Sequence, residues 1–226
     1  WSIAQLYQAI LEEQPHVARL DYITTLAGYI HLLLSGRRVL GVGEASGMFP
    51  IDSERVDYHA GMVAQFDELI RDRGYAWRLR EILPEVLPAG RPAGSLTPEG
   101  ALLLDPTGTL RPGVPMAPPE GDAGTGMAAT NSVAACTGNV SAGTSVFAMV
   151  VLERGLSRLY RDIDMVTTPS GRPVAMVHCN NGASELDAWV RLFGEVLKLG
   201  GAERPAGELY GRLFRESRKG AADCGG

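Results

Sequence analysis

A mixed α/β fold is what this sequence predicts, on three observations. Residues 1–88 carry apolar side chains at helical spacing, while two later runs, Ser145–Val151 and Arg172–Cys179, are apolar and β-rich. Two glycine-rich turns, GDAGTG (121–126) and SAGTS (141–145), stand next to apolar segments in the middle of the chain. The stretch 115–151 that contains both turns is the part around which the remainder is organised.

The elements follow in order. Ser2 reads as an N-cap, and Ile3, Leu6, Tyr7, Ile10 and Leu11 keep amphipathic helical spacing up to Pro15. A second helix is expected from 21 or 24 to 34, closed by Gly36. In VLGVGEASGMFPID (39–52) the glycines at 41, 43 and 47 predict a bend that breaks regular structure, ending in a short strand or turn. The other reading of that stretch is a ligand contact through Glu44 or Ser46. A third helix is expected over 58–73, with Met62, Phe66, Leu69 and Ile70 on one face, and a short one over 79–87. The Pro/Gly-rich run 84–98 is then a connector, and the domain boundary is placed at 88/89. Thr97-Pro98-Glu99 reads as a capped helix start with proline in the first turn. Asn180-Asn181-Gly182 is a turn between the strand 172–179 and an amphipathic helix, 184–199, in which Trp189 is a core residue. Met176 is assigned to the core as well. A last helix covers 206–217.

Bulk properties narrow the function classes. A chain of 226 residues buries a real core as one large or two small domains. Its net charge of −5 offers no basic surface for nucleic acid or anionic membranes. No apolar run approaches the roughly 20 residues of a membrane helix, and no signal peptide is visible. The three cysteines are odd in number and contain no CxxC pair, which reads as reduced thiols and a cytoplasmic setting.

The chemistry-bearing residues lie at the two turns. Asp122 opens a small-residue helix and is open to two readings. As an N-cap it would stabilise the helix by about 1 kcal/mol; as a general base it would be held ionised by the helix dipole. Gly143, Thr144 and Ser145 make either a plain hairpin turn or a cradle of amides and hydroxyls for an anion. A carboxylate and an anion cradle together are what phosphoryl transfer requires, and on that ground the base reading of Asp122 is preferred. Other chemistries lack their residues. Thr125-Gly126 is followed by no lysine, so the GxxxxGK(S/T) loop is absent, and no GxSxG elbow is present. His178 and Cys179 have no partner at metal-ligand spacing and read as partly buried structural residues. His16, His31 and His59 read as surface or core residues on helices.

The order of these pieces resembles the FGGY family of carbohydrate kinases: an apolar segment, GD, a small-residue helix, then a hairpin with GTS. The upstream segments VGEASGMFPID and LPEVLPAGRPAGSLTPEGALLL match that family in order and spacing. The resemblance implies an actin-like ATPase (ribonuclease H-like) two-domain sugar kinase. Residues 1–88 would be the helical end of the N-terminal domain and 89–226 the first part of the C-terminal one. It implies transfer of the ATP γ-phosphate to a sugar hydroxyl, with a ketopentose such as xylulose or ribulose as acceptor and Mg²⁺ as the accompanying ion. Asp122 would be the catalytic base, Gly143, Thr144 and Ser145 the phosphate-binding residues, and Gly121, Asp122, Asn181 and Glu44 the sugar contacts. The family's DxGT phosphate turn and its glycine-rich adenosine element are missing, so the chain is expected to be an internal piece of a longer protein, inactive alone. The partners implied are the sugar and ATP, with a homodimer left open. A non-catalytic, sugar- or nucleotide-binding regulatory member of the same superfamily is the alternative.

Overall fold

The computed structural model describes residues 1–143 and 145–221. The chain forms two compact units: residues 1–140 with 148–177, and residues 141–147 with 178 onward. These units are defined by the contacts of this chain.

In the first unit, helix α1 (Ser2–Leu11) buries Leu6 and Ile10. Trp1, not Ser2, occupies its N-cap position. Helix α2 (Leu26–Ser35) is capped by the Thr25 hydroxyl, which accepts from Gly28 N–H, and stops at Gly36 with φ +71°. Strand β1 (Val39–Gly41) is wholly buried. The next residues form a short helix, α3 (Val42–Ser46), where the glycines predicted a bend. Two short antiparallel strands follow, β2 (Ile51–Asp52) and β3 (Asp57–Tyr58). Helix α4 (Ala60–Leu69) is capped by His59, whose ring Nδ1 accepts from Met62 N–H, and is continued by a 3-10 turn over Arg71–Arg73.

The helix expected over 79–87 is cut short. Helix α5 (Leu79–Ile82) ends because Leu83, preceding Pro84, is extended at φ −80°, ψ 149°. Strand β4 (Glu85–Leu87) then pairs in parallel with β1, Val39 opposite Glu85 and Gly41 opposite Leu87. The region before residue 88 is therefore not purely helical. Its core runs from Leu6 to Val86 and includes Leu40, Val42, Met48, Phe49, Leu79 and Ile82. The Trp77 indole N–H donates to the Val17 carbonyl within it at 2.8 Å.

Helix α6 (Pro98–Leu104) starts as the sequence predicts, with the Thr97 hydroxyl accepting from Gly100 N–H at 3.0 Å. Helix α7 (Asp122–Ala129) buries Met127 completely. A four-stranded sheet follows from β5 (Gly138–Ala142), β6 (Val146–Val151), β7 (Asp164–Thr167) and β8 (Pro173–Cys179), in the order β5-β6-β8-β7. Strand β7, which the sequence reading missed, runs antiparallel to β8 with Asp164 opposite Met176. Met176 is only half-buried, short of the core position expected for it.

The second unit holds helix α8 (Ala183–Leu199) and helix α9 (Ala206–Ser217), which pack on each other. Val190 and Leu209 are the buried residues of the pair. Trp189, expected in the core, is 53% exposed, because the apolar stripe of α8 is wider than the surface α9 covers. Among the described residues no helix is long and apolar enough to cross a membrane.

Candidate functional site

Three of the predicted residues, Glu44, Gly121 and Asp122, come together in the first unit. Gly121 is the N-cap of α7, and Asp122 is its first helical residue. The Asp122 side chain is exposed and makes no hydrogen bond among the described residues. The capping role is therefore not the one it plays. The turn is instead held from within: Thr125 Oγ1 donates to the carbonyls of Gly121 (3.0 Å) and Asp122 (3.2 Å). Gly124 sits where an added Cβ would stand 3.2 Å from Pro169 Cγ, so α7 lies tight against the loop after β7.

Glu44 enters from α3. Its carboxylate lies over Gly121, and any Cβ at residue 121 would collide with Oε2 of Glu44. Backbone contact is closer still. Gly41 N–H donates to Pro119 O at 2.8 Å, and Gly43 and Glu44 N–H donate to Glu120 Oε1 (3.1 Å) and Oε2 (2.9 Å). Cβ atoms at 41 or 43 would run into the Glu120 carboxyl. The glycines of GVGE thus leave room for a distant carboxylate, which satisfies two of the free N–H groups at the start of α3 and favours a helix there.

Glu120 is the residue that sequence reasoning missed. Burial pushes its carboxyl up to about 7, against the two N–H bonds that favour its charged form, and the Glu44 carboxylate adds to the rise. The available signal was the pairing of small residues at 41 and 43 with a carboxylate directly before GD. Ser46, the other contact considered beside Glu44, is fully buried and spoken for. Its hydroxyl donates to Gly43 O (2.6 Å) and accepts from Thr167 N–H (3.0 Å), while Thr167 Oγ1 donates to Val42 O (3.0 Å). Its work is to tie α3 to β7.

Gly143, Ser145 and Asn181 belong to the second unit; Thr144 lies outside the described residues. Gly143 and Asn181 share the wall of a cavity of about 500 Å³, with Trp189 and Phe214 among its apolar lining. Gly143 N–H donates to Ser145 O (2.9 Å), and Ala183 N–H donates to Gly143 O (2.8 Å). The turn is thus braced against the start of α8, and one of the amides assigned to phosphate is engaged within the protein. His178 and Cys179 are exposed, not partly buried as expected, with the His178 ring edge-on to Phe147 at 6.2 Å. His31 is a core residue whose Nε2 lies 3.0 Å from Ala93 O. Among the described residues no three His, Cys, Asp or Glu side chains are grouped to hold a metal ion.

No protein-family model and no curated protein matches the chain in sequence. Solved structures do match. A xylulose kinase from Rhodospirillum rubrum aligns at a TM-score of 0.69 and 18% identity, over 97% of this chain and 40% of its own. A gluconate kinase from Lactobacillus acidophilus aligns at 0.68 and 12%, over 84% of this chain and 36% of its own. Glycerol kinase from Plasmodium falciparum, solved with ADP, aligns at 0.56 and 14%, with the same two coverages. The chain spans well under half the length of these structures. At these identities the likeness shows the fold, and the chain has part of the actin-like ATPase fold found in sugar kinases.

Proposed function

We propose that this chain is the central part of an ATP-dependent sugar kinase in which Asp122 accepts the proton of the acceptor hydroxyl. The observation that carries the reading is the state of that carboxylate. It opens a helix, is exposed, has no hydrogen-bond partner among the described residues, and follows the glycine over which Glu44 lies. Phosphoryl transfer asks little covalent work of a protein: it needs a hydroxyl oriented in line and charge stabilised around the phosphate. In this proposal Asp122 orients and deprotonates the hydroxyl. Glu44 and the Gly121 backbone hold neighbouring hydroxyls. In the same reading Gly143, Thr144 and Ser145 serve the nucleotide phosphates and Asn181 the sugar. The acceptor we infer is a ketopentose such as xylulose or ribulose, supported by the xylulose kinases among the matching structures. Residues 1–88 would complete an N-terminal domain and 89–226 open a C-terminal one. ATP supplies the transferred phosphoryl group. Mg²⁺ would accompany the ATP phosphates, and among the described residues no three His, Cys, Asp or Glu side chains are grouped to hold it.

One observation favours a second reading, a sugar- or nucleotide-binding regulator without catalysis: Gly143 N–H is already donated to Ser145 O. A single experiment separates the two. In the full-length protein, Asp122→Asn is expected to lower ketose-dependent ADP release by about 10²–10⁴-fold while sugar still raises the melting temperature. Retained turnover would remove Asp122 from the base role. Absence of turnover in the unsubstituted protein, with sugar binding intact, would establish the regulator.

A further inference from the structure

Glu120 is a half-buried carboxylate that the proposed chemistry leaves without a task. Together with Pro119 it takes the amides of Gly41, Gly43 and Glu44 at the entry to α3. The grip is returned, because the Glu44 side chain lies over Gly121, the residue between Glu120 and Asp122. Gly124, in the first turn of α7, borders the same space, where a Cβ would make ordinary contact with Glu120 Oε2 at 3.4 Å. The three positions at which a Cβ would strike one of these carboxylates, 41, 43 and 121, are glycine, although none of the three has positive φ and none needs glycine for its backbone conformation. Glu44, on α3, is the charged group that faces Glu120; its other neighbours at 41, 43 and 124 are neutral.

We infer that Glu120 is a positioning residue of the sugar site, which by gripping Gly43 and Glu44 N–H fixes the Glu44 carboxylate and the Gly121-Asp122 step in one frame. The inference rests on the kinase reading above. A carboxylate accepts two N–H bonds with both oxygens; protonation turns one of those oxygens into a donor and loosens the frame. Displacements of about 1 Å in such a frame cost on the order of 10²-fold in rate.

The test uses the full-length protein as wild type, Glu120→Gln, Gly43→Ala and Asp122→Asn. Glu120→Gln should lower kcat about 10- to 100-fold and raise the sugar KM while leaving the ATP KM unchanged. Wild-type activity should rise through neutral pH, and that rise should be absent from this variant. Gly43→Ala places a methyl group in the Glu120 carboxyl and should give the same kinetic defect, with no further loss when the two are combined. Gly43→Ala also carries the test if Glu120→Gln fails to fold. Wild-type kcat, sugar KM and pH profile in Glu120→Gln, with only a lower Tm, would overturn the inference. Failure of the kinase reading is distinguishable: Asp122→Asn would retain turnover, or the wild type would have none. In the latter case sugar affinity is the readout. An affinity reduced about tenfold in both Glu120→Gln and Gly43→Ala supports positioning, and an unchanged one refutes it.

Discussion

The raised affinity of Glu120 for its proton makes a prediction about stability that needs no substrate. In the folded chain this carboxyl titrates at about 7, against 4.5 for an ordinary glutamate, with burial as the main cause. Between those two values the folded state holds a proton that the unfolded state has released. The contribution of Glu120 to stability must therefore fall as pH rises, most steeply between 4.5 and 7, and level off above 7. Each pH unit over that window is worth 1.36 kcal/mol, so the full effect is about 3 kcal/mol. Glutamine at 120 carries no charge at any of these pH values and removes the linkage without removing the side chain. Urea unfolding of wild type and Glu120→Gln from about pH 3 to 8 should show the difference in ΔG moving by about 3 kcal/mol against the wild type. A pH-independent difference would mean the carboxyl is solvated like a surface glutamate. A difference that moves in favour of the wild type as pH rises would mean that the two N–H bonds outweigh burial and hold the group ionised below its usual range. Either result refutes the reasoning.

Two further substitutions test how the site is held. Ser46→Ala strands the buried Thr167 N–H and should cost about 1–3 kcal/mol in urea unfolding; a loss below about 0.5 kcal/mol would show that the α3–β7 tie is not structural. Thr97→Ala removes the hydroxyl that accepts from Gly100 N–H and donates to Leu34 O at 3.2 Å, and should cost about 1 kcal/mol, with Thr97→Ser restoring most of it. Equal stability of the alanine and serine variants would count against the cap.

Where an element's signals lie inside its own sequence, they could be read. Helices α1, α2, α8 and α9 follow from periodicity, and the start of α6 from Thr97-Pro98, because spacing and caps act within a few residues. Misreadings occur where the deciding partner is remote or one residue overrides a pattern. The apolar spacing of 79–87 continues past Pro84, but proline forces Leu83 out of the helical region and the chain becomes a strand beside β1. Helix α3 forms among glycines because its amides are taken by a carboxylate 77 positions later in the chain, a partner that no local pattern announces. Strand β7 is short, and its pairing with β8 decides it more than its composition. The exposure of Trp189 could not be read from α8 alone, because amphipathic spacing marks an apolar face without fixing how much of it a neighbouring helix covers.

The candidate site shows the same division. Four polar side chains stand around the GVGEAS and EGD segments: Glu44, Ser46 and Asp122, which the sequence marked, and Glu120, which it did not. Two are consumed by the protein, Ser46 by Gly43 O and Thr167 N–H, and Glu120 by the amides of α3. Glu44 and Asp122 are left with no hydrogen-bonded side-chain partner among the described residues, on backbones that the other two hold. A buried or half-buried polar group that is satisfied internally gives stability and direction, whereas one left free on a fixed backbone is what a ligand can use. Glu44 also stands on the helix directly after the parallel strand β1, the carboxyl end of a strand being where α/β folds place ligand contacts. In the proposed kinase, discrimination among acceptors would on that argument fall to Glu44 and chemistry to Asp122. Glu44→Gln should then raise the sugar KM with little effect on kcat at saturating sugar, and a variant that lost kcat at unchanged KM would reverse the assignment.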